Sequence, residues 1–308
     1  MTSGENGPFR LLVTGLSGFV GQNLLTRLPG DRFNIQGISR EALTALESLG
    51  DVDAVIHLAG KAHDLAGNAG EDEYYRVNSD LTRRVYDAFL RSGARTFIFM
   101  SSVKAASDDP DGILTETVIP APATPYGRSK LRAEAYIQSV PLPEGKSYYI
   151  LRPCMIHGPG NKGNLNLLYK FVRKGIPYPL SAFDNRRSFL SVENLCFVIG
   201  ALVSETGIPS GIYNVSDDEP LSTNEIVRTI SASLGKKARL LPVSRQLIGF
   251  MARVGDGLHL PFTTNRLNKL VSDYVVSNSK LKMALNAELP LSSREGLLIT
   301  LKSFQGNG

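Results

Sequence analysis

Three glycines at intervals of three residues follow the first apolar run of the chain, and they constrain its fold more than any other feature. The run Phe9–Val13 leads almost directly into Gly15, Gly18 and Gly21. In a strand–turn–helix context the first glycine allows a tight turn, the second lets backbone approach a pyrophosphate, and the third lets the helix pack closely on the strand. The helix N-terminus then directs its positive dipole end at the phosphates. The pattern predicts a dinucleotide-binding domain, with a purely structural glycine turn as the alternative.

Short apolar runs continue to alternate with helical patterns through the first half of the chain. The further predicted strands are Phe33–Ile38, Ala54–Leu58, Thr96–Met100 and Tyr148–Leu151. Helices are predicted near 19–28, 72–92 and 125–138, and only a stub of helix fits within 39–52. Strands that alternate with helices indicate parallel pairing with right-handed crossovers. The predicted fold class is therefore α/β, a Rossmann-type doubly wound parallel sheet.

After residue 152 the pattern changes and helices dominate. Helices are predicted at 164–174, 191–203 and 223–234, with a short strand at 213–215 and a mostly helical region at 240–304. No shift in composition marks a linker, so we expect a smaller, mostly helical C-terminal lobe built on the first domain. The predicted NAD(P)-binding domain is 8–160 with returning segments near 185–218, and the predicted substrate-binding lobe is 161–184 and 219–304.

Composition excludes several classes of protein. The chain has 308 residues and a net charge of +5, and its longest basic cluster is Lys236-Lys237, so nucleic acid is not an expected partner. Cys154 and Cys196 have no metal-ligand or Cys-x-x-Cys spacing, which favours a reduced, cytoplasmic protein. We expect no membrane partner, because no signal peptide is visible and no apolar stretch can span a bilayer. We also expect no metal, because ligand spacing is missing around the histidines His63, His157 and His259.

The end of the second predicted strand selects between two cofactors. An NAD site usually carries an acidic residue there, to bind the ribose hydroxyls. This chain has Gly37-Ile38-Ser39-Arg40 instead. Ser39 can donate to a 2′-phosphate and Arg40 can pair with its charge, which favours NADP over NAD. The alternative is that Arg40 is a solvated loop residue.

Tyr126 and Lys130 stand four residues apart, so they share one face of a predicted helix. A nearby ammonium stabilises a phenolate and lowers a tyrosine pKa that starts near ~10, so that the phenol can exchange a proton with a sugar hydroxyl or ketone. Ser102 follows the fourth predicted strand, at the edge where open parallel sheets bind ligands. Each signal is weak alone, since Tyr-x-x-x-Lys arises by chance and strand-end serines often cap helices. Together with the glycine turn they reinforce one another.

In this order and separation, the motifs resemble those of the extended short-chain dehydrogenase/reductase family, the NAD-dependent epimerases and dehydratases of nucleotide sugars. The resemblance extends over about residues 10–300, and the matching motifs are Thr14-Gly15-x-x-Gly18-x-x-Gly21, His57-Leu58-Ala59-Gly60, Asn78, Ser101-Ser102, Tyr126-x-x-x-Lys130, Leu151-Arg152-Pro153 and His157-Gly158-Pro159-Gly160. Two departures are Lys104, where epimerases usually carry tyrosine, and His157, which replaces a tyrosine. The 101–104 and 185–188 stretches look more like bacterial 4-ketoreductases and 4-epimerases of UDP-N-acetylhexosamines in surface-polysaccharide synthesis.

The resemblance implies a role for each matching residue. Tyr126 is the expected acid/base, Lys130 holds the nicotinamide ribose and depresses the tyrosine pKa, and Ser102 binds the reacting oxygen. The expected cofactor contacts are Gly15, Ser17, Gly18, Phe19, Val20, Gly21, Ser39, Arg40, Leu58, Ala59, Gly60, Asn78, Ser101, Lys130 and Pro153. The expected contacts to the substrate, a UDP-linked sugar, are Lys104, Asn164, Leu165 and Arg187, with Arg187 offering a bidentate charge to the diphosphate. A homodimer is usual in the family and is an expectation from the resemblance alone.

Three functions remain open. The first is reduction of the 4-keto group of a UDP-N-acetylhexosamine derivative, with Tyr126 as proton donor. The second is 4-epimerisation of a UDP-hexose or UDP-N-acetylhexosamine by the same residues. The third is a non-catalytic dinucleotide-dependent regulator, although such proteins commonly lose the tyrosine or lysine. A 4,6-dehydratase is disfavoured, because Val103-Lys104 supplies no acid pair after the strand-end hydroxyl.

Other polar residues have simpler interpretations. We expect His57 to be a structural histidine at a strand end. Asn78 either orders a water or a backbone carbonyl or is an ordinary exposed helical asparagine. Glu116 either orients a loop near the substrate or serves as a capping residue. The acidic runs Asp108-Asp109 and Asp217-Asp218-Glu219 are expected to be solvated turns.

Overall fold

Six parallel strands form the central sheet of the protein, in the order β2-β1-β3-β4-β6-β9. The computed structural model describes residues 7–44, 48–61, 70–161, 163–258 and 260–306. The sheet strands are β1 (Phe9–Thr14), β2 (Phe33–Ile38), β3 (Ala54–His57), β4 (Thr96–Met100), β6 (Ser147–Pro153) and β9 (Gly211–Val215). Strand β1 has β2 on one side and β3 on the other, so the chain reverses its direction across the sheet at β1. Ligands bind at such a switch point, beyond the carboxyl ends of the strands.

Helices cover both faces of the sheet and build the C-terminal lobe. They are α1 (Phe19–Arg27), α2 (Arg40–Thr44), α3 (Glu71–Tyr75), α4 (Leu81–Arg91), α5 (Pro125–Ser139), α6 (Asn164–Arg173), α7 (Val192–Ser204), α8 (Thr223–Ser233), α9 (Arg245–Gly257), α10 (Thr264–Val271), α11 (Ser279–Leu285) and α12 (Ser293–Gln305). A π-helical turn, Arg76–Asp80, joins α3 to α4, and a 3₁₀ turn, Val103–Ala105, follows β4. None of the helices among the described residues is both long enough and apolar enough to cross a membrane.

Alternating side chains of the buried strands pack into two separate hydrophobic cores, one on each face of the sheet. Leu11 and Ile98 point to one face, where they pack with α1 and α7, and Phe97 and Phe99 point to the other. Tyr86 of α4 completes an aromatic cluster on that second face, its ring centroid 5.0 Å from that of Phe97. Burial on both faces explains why the strand sequences are almost continuously apolar.

Two short parallel strand pairs lie outside the main sheet. They are β5 (Ile113–Leu114) with β10 (Val275–Val276), and β7 (Met155–His157) with β8 (Phe189–Ser191). Helices α6, α8 and α12 share one apolar core, and α9 and α10 share a smaller one around Ile248 and Leu267. The α/β fold class with a mostly helical C-terminal part is confirmed. The proposed domain boundaries stay a prediction.

Candidate active site

The glycine turn after β1 has no room for side chains at two of its three glycines. Gly15 has φ of +71°, and a Cβ on it would lie 2.8 Å from the backbone nitrogen of Ala59. A Cβ on Gly21 would lie 2.4 Å from the carbonyl oxygen of Leu16. The backbone segments that follow β1 and β3 and the first turn of α1 therefore pack against one another beside the switch point. A dinucleotide cradle requires this close packing.

The N-terminus of α1 is open to an anionic ligand. Its N-cap, Gly18, supplies no side-chain hydrogen bond, and the first turn contains no acidic residue. Ser17 and Gly18 are exposed, and Phe19 and Val20 begin the helix. Unpartnered N–H groups and a positive dipole end are what a pyrophosphate needs. The residues present thus fit the dinucleotide that the glycine turn implies.

A buried hydrogen-bond chain fixes the backbone at the end of β3. The amide of Ala59 donates to Thr14 Oγ1 at 3.0 Å, and Thr14 Oγ1 lies 2.7 Å from His57 Nδ1. His57 Nε2 lies 3.0 Å from Thr82 Oγ1, which donates to the Asn78 carbonyl at 2.7 Å. Burial, followed by the charge of Lys130, lowers the His57 pKa to about 3, so the ring is neutral. His57 is structural, as expected, and positions the Leu58–Gly60 segment.

Asn78 ties that segment to the next helix layer. It is fully buried in the π-helical turn, so the interpretation as an exposed asparagine is wrong. Its Oδ1 accepts from the Lys61 amide at 2.7 Å, and its Nδ2 donates to the Lys61 carbonyl and the Ser129 hydroxyl, each at 3.0 Å. π-Helical turns occur often at functional sites. Here the turn lets one amide bind both backbone groups of Lys61.

Ser102 and Tyr126 meet at the carboxyl end of β4. Ser102 Oγ accepts from the Lys104 amide at 3.2 Å, so its own proton is available for a substrate oxygen. Thr124 caps α5 through the Gly127 amide at 3.2 Å, which starts the helix immediately before Tyr126. The Ser102 hydroxyl also interacts with the phenol of Tyr126. The two hydroxyls can polarise one carbonyl oxygen between them.

The pKa of Tyr126 is raised, not lowered as the sequence predicts. Burial is the main cause, the nearby Tyr74 phenol adds to it, and the interaction with Ser102 opposes it. Lys130 instead donates to the Met100 carbonyl at 2.7 Å and lies over the Phe99 ring, 4.8 Å from its centroid. The phenol is therefore protonated at neutral pH, which suits a proton donor.

Lys130 extends from α5 to the backbone at the end of β3. It is 4% exposed, and burial lowers its pKa to about 8 while the charge of Glu134 opposes that shift. A Cβ on Gly60 would lie 3.0 Å from the Lys130 Nζ and 3.0 Å from Asn78 Oδ1, so a side chain there would crowd the ammonium. Nζ has two further N–H groups beyond the one given to Met100, and these can hold ribose hydroxyls.

A buried ion pair behind Lys130 was missed by sequence reasoning. Arg152 Nε donates to Glu134 Oε1 at 3.0 Å, and both side chains are buried. The Ser101 hydroxyl donates to the same carboxylate, so a cofactor contact by Ser101 would have to come from its backbone. The signal in the sequence was the position of Glu134, four residues after Lys130 and on the same helix face.

Positive groups converge at the entrance of the lobe. Lys104 Nζ lies 4.4 Å from the centroid of the Tyr274 ring and donates to the Asp108 carbonyl at 2.8 Å. Arg187 Nη1 donates to the Lys269 carbonyl at 2.8 Å. Burial lowers the pKa of both Lys104 and Arg187; for Lys104 the charge of Asp108 opposes this shift, and the charges of Arg187 and Lys269 add to it. A bound diphosphate would relieve the repulsion that these two groups exert on Lys104.

The remaining predicted contacts differ in their environment. Ser39 is exposed and accepts from the Ala42 amide at 3.2 Å, which leaves its own proton free, whereas the side chain of Arg40 lies outside the described residues. Pro153 is buried at the end of β6. Asn164 is exposed at the start of α6, but the Leu165 side chain is buried in the lobe core. A substrate contact by Leu165 would therefore have to come from its backbone.

The expectation that Asp217 lies in a solvated turn is wrong. It is buried and accepts from the Ser191 amide at 3.0 Å and from Asn194 Nδ2 at 2.7 Å, and it lies 3.8 Å from His157 Nε2. Glu116 accepts from the Asn214 amide at 2.8 Å, which ties its loop to strand β9, and a role near the substrate stays a prediction. No group of three metal-ligating side chains occurs within the described ranges, although the histidines His63 and His259 lie outside them. The absence of a metal stays a prediction.

Comparison with known proteins gives this geometry a class. The family model described as the NAD dependent epimerase/dehydratase family matches residues 11–216. The chain therefore belongs to the NAD-dependent epimerase/dehydratase family, a family of nicotinamide-dinucleotide enzymes.

Individual relatives cover most or all of the chain. The UDP-glucose 4-epimerase of Vibrio cholerae is 28% identical over 98% of each chain. An N-acetyl-α-D-glucosaminyl-diphospho-ditrans,octacis-undecaprenol 4-epimerase of Escherichia coli O157:H7 is 30% identical over 74% of this chain and 73% of the relative. The solved structure of RMD from Pseudomonas aeruginosa, complexed with NADPH, is 22% identical and has a TM-score of 0.73, covering 97% of this chain and 99% of that one. This last likeness concerns the fold.

Proposed function

We propose that the protein reduces the 4-keto group of a UDP-N-acetylhexosamine derivative, with NADPH as the hydride source and Tyr126 as the proton donor. The observation that supports the proposal is that Ser102 interacts with Tyr126, while Lys130, on the same helix, lies beside Gly60 and donates to the Met100 carbonyl. The bound cofactor would supply the hydride that reaches C4 of the sugar. The chain supplies position, polarisation and the proton.

Each side chain has a defined task in this reaction. The Ser102 hydroxyl donates a hydrogen bond to the ketone oxygen and so holds that oxygen against the phenol of Tyr126. Tyr126, kept protonated by its burial, gives its proton to that oxygen as the carbonyl becomes an alcohol. Lys130 is anchored on the Met100 carbonyl, which leaves two N–H groups to hold ribose hydroxyls. Lys104, Arg187 and the neighbouring Lys269 bind the diphosphate of the sugar nucleotide.

NADP is the proposed cofactor because the two residues directly after β2 are Ser39 and Arg40, with no acid at the strand end. The free hydroxyl proton of Ser39 can be donated to a 2′-phosphate, and Arg40 can neutralise its charge. Replacing Arg40 by Ala should weaken NADPH binding about tenfold to hundredfold relative to NADH, the value of a charge-assisted hydrogen bond. Fluorescence titration of both cofactors measures the ratio, with exposed Arg173→Ala in α6 as control. If the variant loses affinity equally for NADPH and NADH, or loses none, Arg40 is a solvated residue that does not contact the 2′-phosphate.

A 4-epimerase is the second candidate, and a specific observation favours it: both curated relatives described above carry that activity in their names. The same residues would serve, because an epimerase oxidises C4 and then reduces it from the other face. Such an enzyme regenerates its cofactor in every turnover. The reductase is preferred here because the end of β2 lacks the acid of an NAD site, and a retained NAD would need that acid.

The test uses purified full-length protein and the absorbance of the reduced nicotinamide. UDP-4-keto-N-acetylhexosamines with NADPH form one panel, and UDP-hexoses and UDP-N-acetylhexosamines without added cofactor form the other. The proposal expects loss of absorbance with the keto sugars. Interconversion of C4 epimers without added cofactor, together with NAD recovered from the purified protein, would contradict the reductase proposal and show that the protein is a 4-epimerase.

A further inference from the structure

Helix α9 presents a row of large apolar side chains to solvent. Phe250 is 59% exposed, and Leu247, Met251 and Leu258 are each more than half exposed, with Val254 at 38%. Leu241 and Leu260, which lie before and after α9, and Leu270 in α10 are also about half exposed. Single exposed apolar residues are ordinary, but a contiguous group on one element indicates a contact surface.

The spacing of these residues shows that they form one face. Leu247, Phe250, Met251, Val254 and Leu258 recur at helical intervals, so they lie within an arc of roughly 100°. The residues that pack on the lobe, Ile248, Ala252 and Gly255, occupy a separate neighbouring arc and are buried. The apolar stripe of α9 is thus wider than the arc that packs on the lobe, and its outer part has no packing partner among the described residues.

The part of the sequence that contains α9 and α10 carries much of the positive charge of the chain. Residues 236–271 contain seven Lys and Arg and one Asp, a net charge of +6, whereas the whole chain carries +5. The rest of the protein is therefore slightly acidic. Arg245, Arg253, Arg266 and Lys269 are all exposed.

These charges are not neutralised by ion pairs within the described part of the chain. None of the seven takes part in an ion pair with any residue that the structure describes. Arg245, Arg266, Lys236 and Arg239 donate to backbone carbonyls instead. An apolar face with unpaired cations beside it is complementary to a surface that offers hydrocarbon and negative charge together.

We propose that α9, α10 and their flanking residues form a docking surface for an anionic phospholipid membrane. Phe250, Met251 and their neighbours enter the headgroup region, and Arg253 and Arg266 pair with lipid phosphates. Helix α9 lies in the membrane interface and does not span the bilayer. The expectation of no membrane partner rested on the lack of a signal peptide and of a spanning segment, so it does not exclude docking of this kind. Because α10 also supplies Lys269 beside Arg187, docking places the entrance of the substrate lobe at the membrane.

The experiment is co-sedimentation of the full chain with vesicles of phosphatidylglycerol and phosphatidylcholine in equal amounts, against vesicles of phosphatidylcholine alone. We expect enrichment on the anionic vesicles that falls as salt rises. A double variant, Phe250→Glu with Met251→Glu, should lose binding by an order of magnitude or more. Arg253→Glu and Arg266→Glu should each reduce it by roughly fivefold or more. Met283→Glu on α11 is the matched control, since Met283 is 75% exposed outside this surface.

The outcomes separate this proposal from its competitors. Equal binding to both vesicle types, or no binding, overturns it. Loss of binding in the Met283 control equal to that of the double variant also overturns it. If the apolar face instead joins two copies of the chain, light scattering will show a dimer that the double variant converts to a monomer without any vesicle binding. All substituted residues are exposed, so unchanged thermal unfolding is expected and shows that the fold is intact.

Discussion

Replacing Tyr126 by Phe is expected to lower turnover by about 10²- to 10⁴-fold while leaving NADP binding unchanged. The phenol is the only proton donor among the described residues that both contacts Ser102 and shares a helix face with Lys130. General acid catalysis contributes a factor of this size. The ring itself stays, so packing against Tyr74 is preserved. Steady-state rates and cofactor titrations of the same preparation give the two measurements.

The control for this variant lies on the same helix. Tyr136 ends in a hydrogen bond to Asp87 on α4, away from Ser102, and Tyr136→Phe should leave turnover within about twofold. If Tyr126→Phe retains most of the activity, Tyr126 is not the proton donor. If dinucleotide binding alters association with another molecule equally in both proteins and no turnover exists, the non-catalytic regulator is the better account.

Replacing Glu134 by Gln is expected to lower the free energy of unfolding by about 3–5 kcal/mol, because it leaves the buried Arg152 guanidinium without its counter-charge. Arg152 and Glu134 are 1% and 0% exposed, so water cannot take the place of the carboxylate. Urea titration followed by circular dichroism measures the loss. A double variant, Glu134→Met with Arg152→Met, removes both charges and should recover much of the stability. A single variant as stable as the parent would show that the pair contributes little.

The same Gln variant has a second readout that a purely structural role would not move. Glu134 raises the pKa of Lys130, and burial lowers it from 10.5 to about 8. Without Glu134 that pKa must fall further, so the alkaline limb of activity should move to lower pH. For stability the sign is opposite to that of a lysine whose pKa is raised by a partner: between about 8 and 10.5 the unfolded chain binds one more proton than the folded chain, so the stability contributed by this group rises with pH. If the alkaline limb of the activity profile does not shift, Glu134 does not control the pKa of Lys130.

Much of the fold was predictable because buried parallel strands and amphipathic helices leave strong periodic patterns. The strands at Phe33–Ile38 and Thr96–Met100 have the predicted bounds, and the helix at 125–138 extends by one residue. The pairs β5–β10 and β7–β8 were not predicted. Each has only two or three residues per strand, and their partners lie far away in the chain, so no local pattern marks them.

The site was predictable where its chemistry depends on spacing, and less so where it depends on burial. The order of the glycine turn, Ser102 and the Tyr126–Lys130 pair led to the family that comparison then showed. The direction of the Tyr126 pKa shift was wrong, because Lys130 is anchored on a carbonyl and burial dominates. The prediction that Asp217 is solvated was wrong for a related reason. Acidic runs are usually solvated, and only tertiary contacts reveal that Ser191 and Asn194 bind this carboxylate.

The most direct test of the central claim is the stoichiometry of the reaction. Purified protein is mixed with a UDP-4-keto-N-acetylhexosamine and limiting NADPH, and the absorbance change is compared with the amount of C4 alcohol formed, determined by nuclear magnetic resonance. The account predicts one NADPH oxidised for each ketone reduced, with no C4 epimerisation of the product. Epimers that interconvert with no net oxidation of NADPH would contradict it.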